Sequence, residues 1–189
     1  MGNDKKIEKD DLYQILYRNI SWIENCDTKA SIILGGIGVI VAIFLSSEYV
    51  IEIKKILECM SSQGVSGATY IILGISALLA VFTGLLYLVR VLLAKTSTKE
   101  FKERGLKTDS MTFFSSIAQN KKFRDYKVKI ENCSESYLRD DLISQIYICA
   151  QICTTKFRNY RIGLILSMTG LISFSILLFI GVIATRWVY

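Results

Sequence analysis

Three stretches of the chain carry no charged residue: Ala30 to Ser47, Gly67 to Val89 and Ile162 to Thr185, of 18, 23 and 24 residues. The hydrocarbon of a bilayer is about 30 Å thick and a helix rises about 1.5 Å per residue, so roughly 20 apolar residues cross it. Each stretch predicts a transmembrane helix, the first with the least margin. The segments ahead of the first and third stretches are more polar, but periodic. Leu12, Ile15, Leu16, Asn19, Ile20, Ile23 and Asp27 fall on one helical face. So do Leu138, Leu142, Ile146, Cys149, Ile152, Cys153, Lys156 and Tyr160. No glycine interrupts Lys5 to Leu34, and the chain holds no proline at all. Each pattern therefore predicts one helix that continues unbroken into its span.

Charge gives the spans a direction. Lys5, Lys6, Lys9, Arg18 and Lys29 precede the first span, and only Lys54 and Lys55 separate it from the second. Between the second and third spans stand 14 Lys and Arg, and only Arg186 follows the third. Positive flanks stay in the cytoplasm. The expected organisation is a cytoplasmic amphipathic helix over 1–29, a first span over 30–51, an outer loop over 52–66 and a second span over 67–94. A cytoplasmic helical region over 95–161, a third span over 162–185 and an outer tail over 186–189 complete it. The fold class is an all-α membrane protein, three transmembrane helices whose long cytoplasmic extensions form a small bundle. The outer loop reads as a helical overhang of the first span closed by a Ser/Gly turn. Gly105 is expected to close an extension of the second span, and Ser110 to cap a short helix carrying Phe113, Phe114 and Ile117.

Composition removes several functions. The N-terminus lacks the apolar core of a cleaved signal peptide, and Lys6 stands where a myristoylation signal wants Ser or Thr. Five cysteines form no C-x-x-C pair, which predicts buried thiols in a reducing compartment. Histidine is absent, and no carboxylate pair comes with a third ligand. Neither an enzyme, a metal site nor a bound cofactor is expected.

Two charges lie on apolar stripes, Asp27 just before the first span and Lys156 shortly before the third. An unpaired charge on a packed face is costly, while a hydrogen-bonded pair can break even. Asp27 and Lys156 are therefore expected to meet, either as a fixed pair that sets register or as a switch that an anion disturbs. Lys29 has a simpler role open to it, reaching the lipid headgroups. Between the second and third spans, 14 positive residues against 8 negative leave a basic excess. It would attract an anionic leaflet, or hold a phosphate through Lys121, Lys122 and Arg124 or through Lys156, Arg158 and Arg161. Glycine-rich phosphate loops are missing, so aromatics such as Phe113, Phe114 or Tyr160 would have to stack on any base. In the spans, Ser76, Ala80 and Gly84, Ser31 with Gly35, and Gly163 with Ser167 repeat a small-xxx-small pattern. Such ridges serve close helix packing within the chain or an oligomer seam.

The segments "NISWIENCDTKASIILGGIGVIVAIF", with its D-x-K-A signature, "MTFFSSIAQNKKFRDYKVKI" and "YLRDDLISQIYICAQICTTKFRNYRIGLIL" resemble, in that order, the Pycsar effector transmembrane family of prokaryotic antiphage defence. The last carries a D-L-x-x-Q-I … K-x-x-x-x-R helix that leads into a span. The resemblance implies an inner-membrane effector activated by a cyclic pyrimidine nucleotide, cyclic CMP or cyclic UMP, made by a partner cyclase. It also implies membrane damage and abortive infection. A homo-oligomer is expected by way of the small-residue ridges, and no nucleic-acid partner is. Asp27, Lys29, Lys156 and Arg161 fall on its motifs. A nucleotide-independent membrane toxin or channel, and a membrane scaffold, are the alternatives.

Overall fold

The computed structural model describes residues 7–93, 105–107 and 109–188. Six helices follow in order: α1 (Lys9–Phe44), α2 (Ser47–Ser61), α3 (Val65–Leu92), α4 (Phe114–Ala118), α5 (Phe123–Glu131) and α6 (Glu135–Val188). There is no strand among the described residues. Helices α1, α3 and α6 are each long and apolar enough to cross a membrane. The chain divides into a polar unit, residues 1–25 with 94–156, and an apolar unit, residues 26–93 with 157–189.

Helix α1 opens on half of a capping box, in which the Glu8 N–H donates to Asp11 Oδ2 at 3.1 Å. Asp10 and Asp11 also place negative charge at its positive end. With no proline to stop it, α1 runs 36 residues and α6 runs 54. Both are single helices, as their sequence patterns predict.

The first span ends sooner than its apolar run. At Leu45 and Ser46 the chain turns, with the Ser46 N–H on the Ile43 carbonyl at 3.0 Å. Residues 47–61 then form a separate helix instead of an overhang of α1. The reason is amphipathicity. Ile56, Cys59 and Met60 of α2 are buried, whereas Lys54, Lys55 and Glu58 stay exposed, and a straight continuation of α1 could not bury that apolar side. The return into α3 uses Gly64 at φ +61°, a left-handed conformation that glycine adopts without strain. Gly67 then lies directly against the Met60 carbonyl, where a methyl group would collide.

Helices α3 and α6 are antiparallel and touch through small residues. A Cβ on Gly84 would meet Gly163 O at 2.8 Å, and one on Gly170 would meet Ala77 O at 2.8 Å. Farther along, the Tyr70 hydroxyl donates to the Leu177 carbonyl at 2.6 Å. Of the predicted ridges, Gly84, Gly163 and Ser167 form this seam. Ser76 is exposed, and a Cβ on Gly35 meets nothing within 4 Å. The buried face of α3 is instead Ala77, Val81, Gly84, Leu88 and Val91. This spacing of four, three, four and three residues sets the register one position away from Ser76. Cys26, Ala30 and Ile37 of α1 join Leu88, Val91 and Leu171 in one core. The outward faces of the spans carry large exposed side chains such as Ile32, Ile72, Phe82, Ile176 and Phe179, as a lipid-facing surface requires.

The polar unit has a smaller core. Leu12 and Leu16 of α1 meet Leu142 of α6, with Ile20, Ile146 and Cys149 at its edge. Ile15, expected on the same stripe, is exposed, because three buried leucines already close this narrow seam. Residues 94–104 lie outside the described set, and with them the expected end of an extension of the second span at Gly105, itself at φ +97°.

Candidate functional site

The polar unit is organised around a single buried carboxylate, Asp141, in the second turn of α6. It is fully buried, and its Oδ2 gathers three donors from one short segment. The Ser110 hydroxyl donates to it at 3.0 Å, the Met111 N–H at 3.0 Å and the Thr112 hydroxyl at 3.2 Å. Ser110 Oγ in turn accepts the N–H groups of Thr112 at 3.2 Å and Phe113 at 2.9 Å. Ser110 thus folds the turn ahead of α4 and does not cap α4 itself, whose N-cap is Phe113 with no side-chain bond. One turn along α6, Gln145 donates through Nε2 to Ser110 Oγ at 2.9 Å and also to Thr112 Oγ1. Residues four apart share a helix face, so the D-L-x-x-Q spacing places carboxylate and carboxamide on the same loop.

Flanking contacts extend the strap. The Tyr126 hydroxyl of α5 donates to the Met111 carbonyl at 3.1 Å. The Tyr137 hydroxyl donates to the Asp109 carbonyl at 3.1 Å, and Lys107 Nζ lies 4.6 Å from the Tyr137 ring centre. Burial first, and then Asp109, push the Tyr137 phenol up to about 12. Two buried atoms of the polar unit lack partners among the described residues, Asp141 Oδ1 and Ser116 Oγ. Charge-assisted bonds of this kind hold a loop firmly. Lys107 and residues 109–112 are therefore tied to α6 through polar groups.

The basic residues singled out from the sequence are distributed. Lys121, Lys122 and Arg124 are all exposed, at the turn between α4 and α5 and in the first turn of α5. Phe123 interleaves with them and is 78% exposed, and Phe114, the first residue of α4, is 62% exposed. Lys156 is buried in the polar unit. Lys29 and the half-buried Asp27 belong to the apolar unit, as do Arg158 and Arg161. The last two line, with Phe157 and Tyr160, a shallow space of about 700 Å³. The signal for Asp141 was in the sequence. It stands three residues after Leu138, a charge on the apolar stripe of its helix, the same anomaly that marks Asp27 and Lys156. All five cysteines are free thiols.

Three long apolar helices, together with a second, polar unit, define an α-helical membrane protein. The Pycsar effector protein domain matches residues 11–184, and the chain belongs to that family. The Pycsar effector protein GmPycTM of Gulbenkiania mobilis is 32% identical over 180 residues, covering 89% of this chain and 90% of that protein. No solved structure matches.

Proposed function

We propose that this chain is an antiphage effector of the bacterial inner membrane, triggered by a cyclic pyrimidine nucleotide from a partner cyclase. The observation that carries the reading is the continuity of α1 and α6, combined with family membership. Each is one rod with a polar half and a spanning half. A rod transmits a change at one end to the other, whereas a coil would absorb it.

Exposed Phe123, between Lys122 and Arg124, supplies with Lys121 the chemistry for a cyclic nucleotide, and exposed Phe114 of α4 offers a second aromatic face. An aromatic face stacks on a base for about 1–3 kcal/mol, and the cations meet the phosphate. The nucleotide shifts the packing of α1 and α6 only by its different affinity for two arrangements. The spans then rearrange or associate as a homo-oligomer, and the membrane leaks. The positive flanks support a cytoplasmic polar unit.

The test is purified full chain in liposomes carrying a potential-sensitive dye. Cyclic CMP or cyclic UMP is expected to collapse the potential while cyclic AMP does not. Collapse without any nucleotide would assign the chain to the autonomous toxins. No collapse together with a stable protein partner in pull-downs would make it a scaffold.

A further inference from the structure

The apolar unit contains a cavity that the trigger does not require. About 480 Å³ of space lies between the C-terminal end of α1, the apolar side of α2, α3 and α6. Phe44, Ile53, Leu57, Gly74, Leu78 and Phe174 are among its walls. Its one polar side chain, Tyr70, already donates its hydroxyl to the Leu177 carbonyl. A Cβ built on Gly74 meets no atom within 4 Å, so nothing fills the space at that point of α3.

An apolar void of this size does not stay empty in a folded protein, because the cost of missing contacts grows with its volume. Water does not fill it, since a dry hydrocarbon wall offers no hydrogen bonds. The occupant is therefore apolar. Three of the four walls belong to helices that cross the bilayer, where acyl chains are the solvent. A second copy's helix is about 10–12 Å across, and a space of this volume takes only about one turn of it; a flexible chain fits. The opposite side of α2 carries Glu52, Lys55 and Glu58, which face a second space beside Thr185 and Arg186. That polar side fits a helix lying at headgroup level.

We propose that this cavity is a lipid site that seats one acyl chain of a phospholipid beneath α2. Full-length protein is purified in detergent and its bound lipid counted by native mass spectrometry. Wild type is expected to keep about one phospholipid per chain through detergent exchange. Gly74→Phe should lower that occupancy at least tenfold. Gly38→Phe, at a position where an added Cβ also meets nothing within 4 Å but which lies off the cavity wall, should keep it. Gly74→Leu gives the same reading with a smaller side chain should the phenylalanine disturb folding. Wild type bare of lipid, lipid retained at full occupancy in both Gly74 variants, or lipid lost equally from Gly38→Phe would overturn the proposal. So would a lipid-free dimer that the Gly74 variants dissociate, which would give the cavity to a second copy.

Discussion

Replacing Asp141 by alanine removes the acceptor of two hydroxyls and one backbone N–H at once. Each buried donor left unmatched costs about 1–3 kcal/mol. Asp141→Ala should therefore lower stability by roughly 2–4 kcal/mol, and Asp141→Asn, which retains one acceptor oxygen, by less. Denaturant unfolding of the detergent-solubilised chain measures both, and equal losses would show that the strap does not depend on the oxygen. Tyr137 adds a pH signature. Its phenol sits at about 12, above an ordinary value of 10, so the fold favours the neutral form. That contribution is complete below pH 10 and is lost as pH rises through about 12. Tyr137→Phe should flatten this alkaline loss in a melting-temperature series. Phe123→Ala tests the proposed base stack, with a weakening of nucleotide binding of about tenfold by titration calorimetry.

Among the elements, the spans were legible in the sequence because an uncharged run of about 20 residues has few other uses in a protein. Continuity of α1 and α6 was equally legible, since nothing in Lys9–Phe44 or Glu135–Val188 breaks a helix. The break at Leu45 was not. No glycine or proline marks it, and it exists because α2 gains more by turning its apolar side inward than by continuing straight. The small-residue ridges were read one position off on α3, because Ala77 and Ser76 are both small and only the larger neighbours Val81 and Leu88 fix the seam. Asp141 was missed because its partners lie 30 residues away on a loop with no periodicity. A proline in α6 at Thr155 removes a backbone hydrogen bond and clashes with the preceding turn, at about 3 kcal/mol or more. Thr155→Pro should leave nucleotide binding intact in the calorimeter while abolishing the nucleotide-triggered collapse of potential in liposomes.

At the scale of the whole molecule, the proposed orientation is open to direct measurement. Cys133, Cys149 and Cys153 are half-buried free thiols of the polar unit. In a Cys59→Ser background, which removes the outer-loop thiol, a membrane-impermeant maleimide should label them only after cells are opened, and labelling of these three in intact cells would invert the topology.

One atom in the seam between α3 and α6 has a consequence for motion. Ser167 is fully buried, and its Oγ has no partner among the described residues. Inside hydrocarbon a hydroxyl without an acceptor is a standing debt. Around it, Gly84, Gly163 and Gly170 let the two backbones approach closely, with Val81 and Leu88 seated against the glycines of α6. The dissatisfied hydroxyl in this joint favours a slip that finds it an oxygen. Ser167→Ala should therefore lock the resting form, raising the nucleotide concentration needed for leakage.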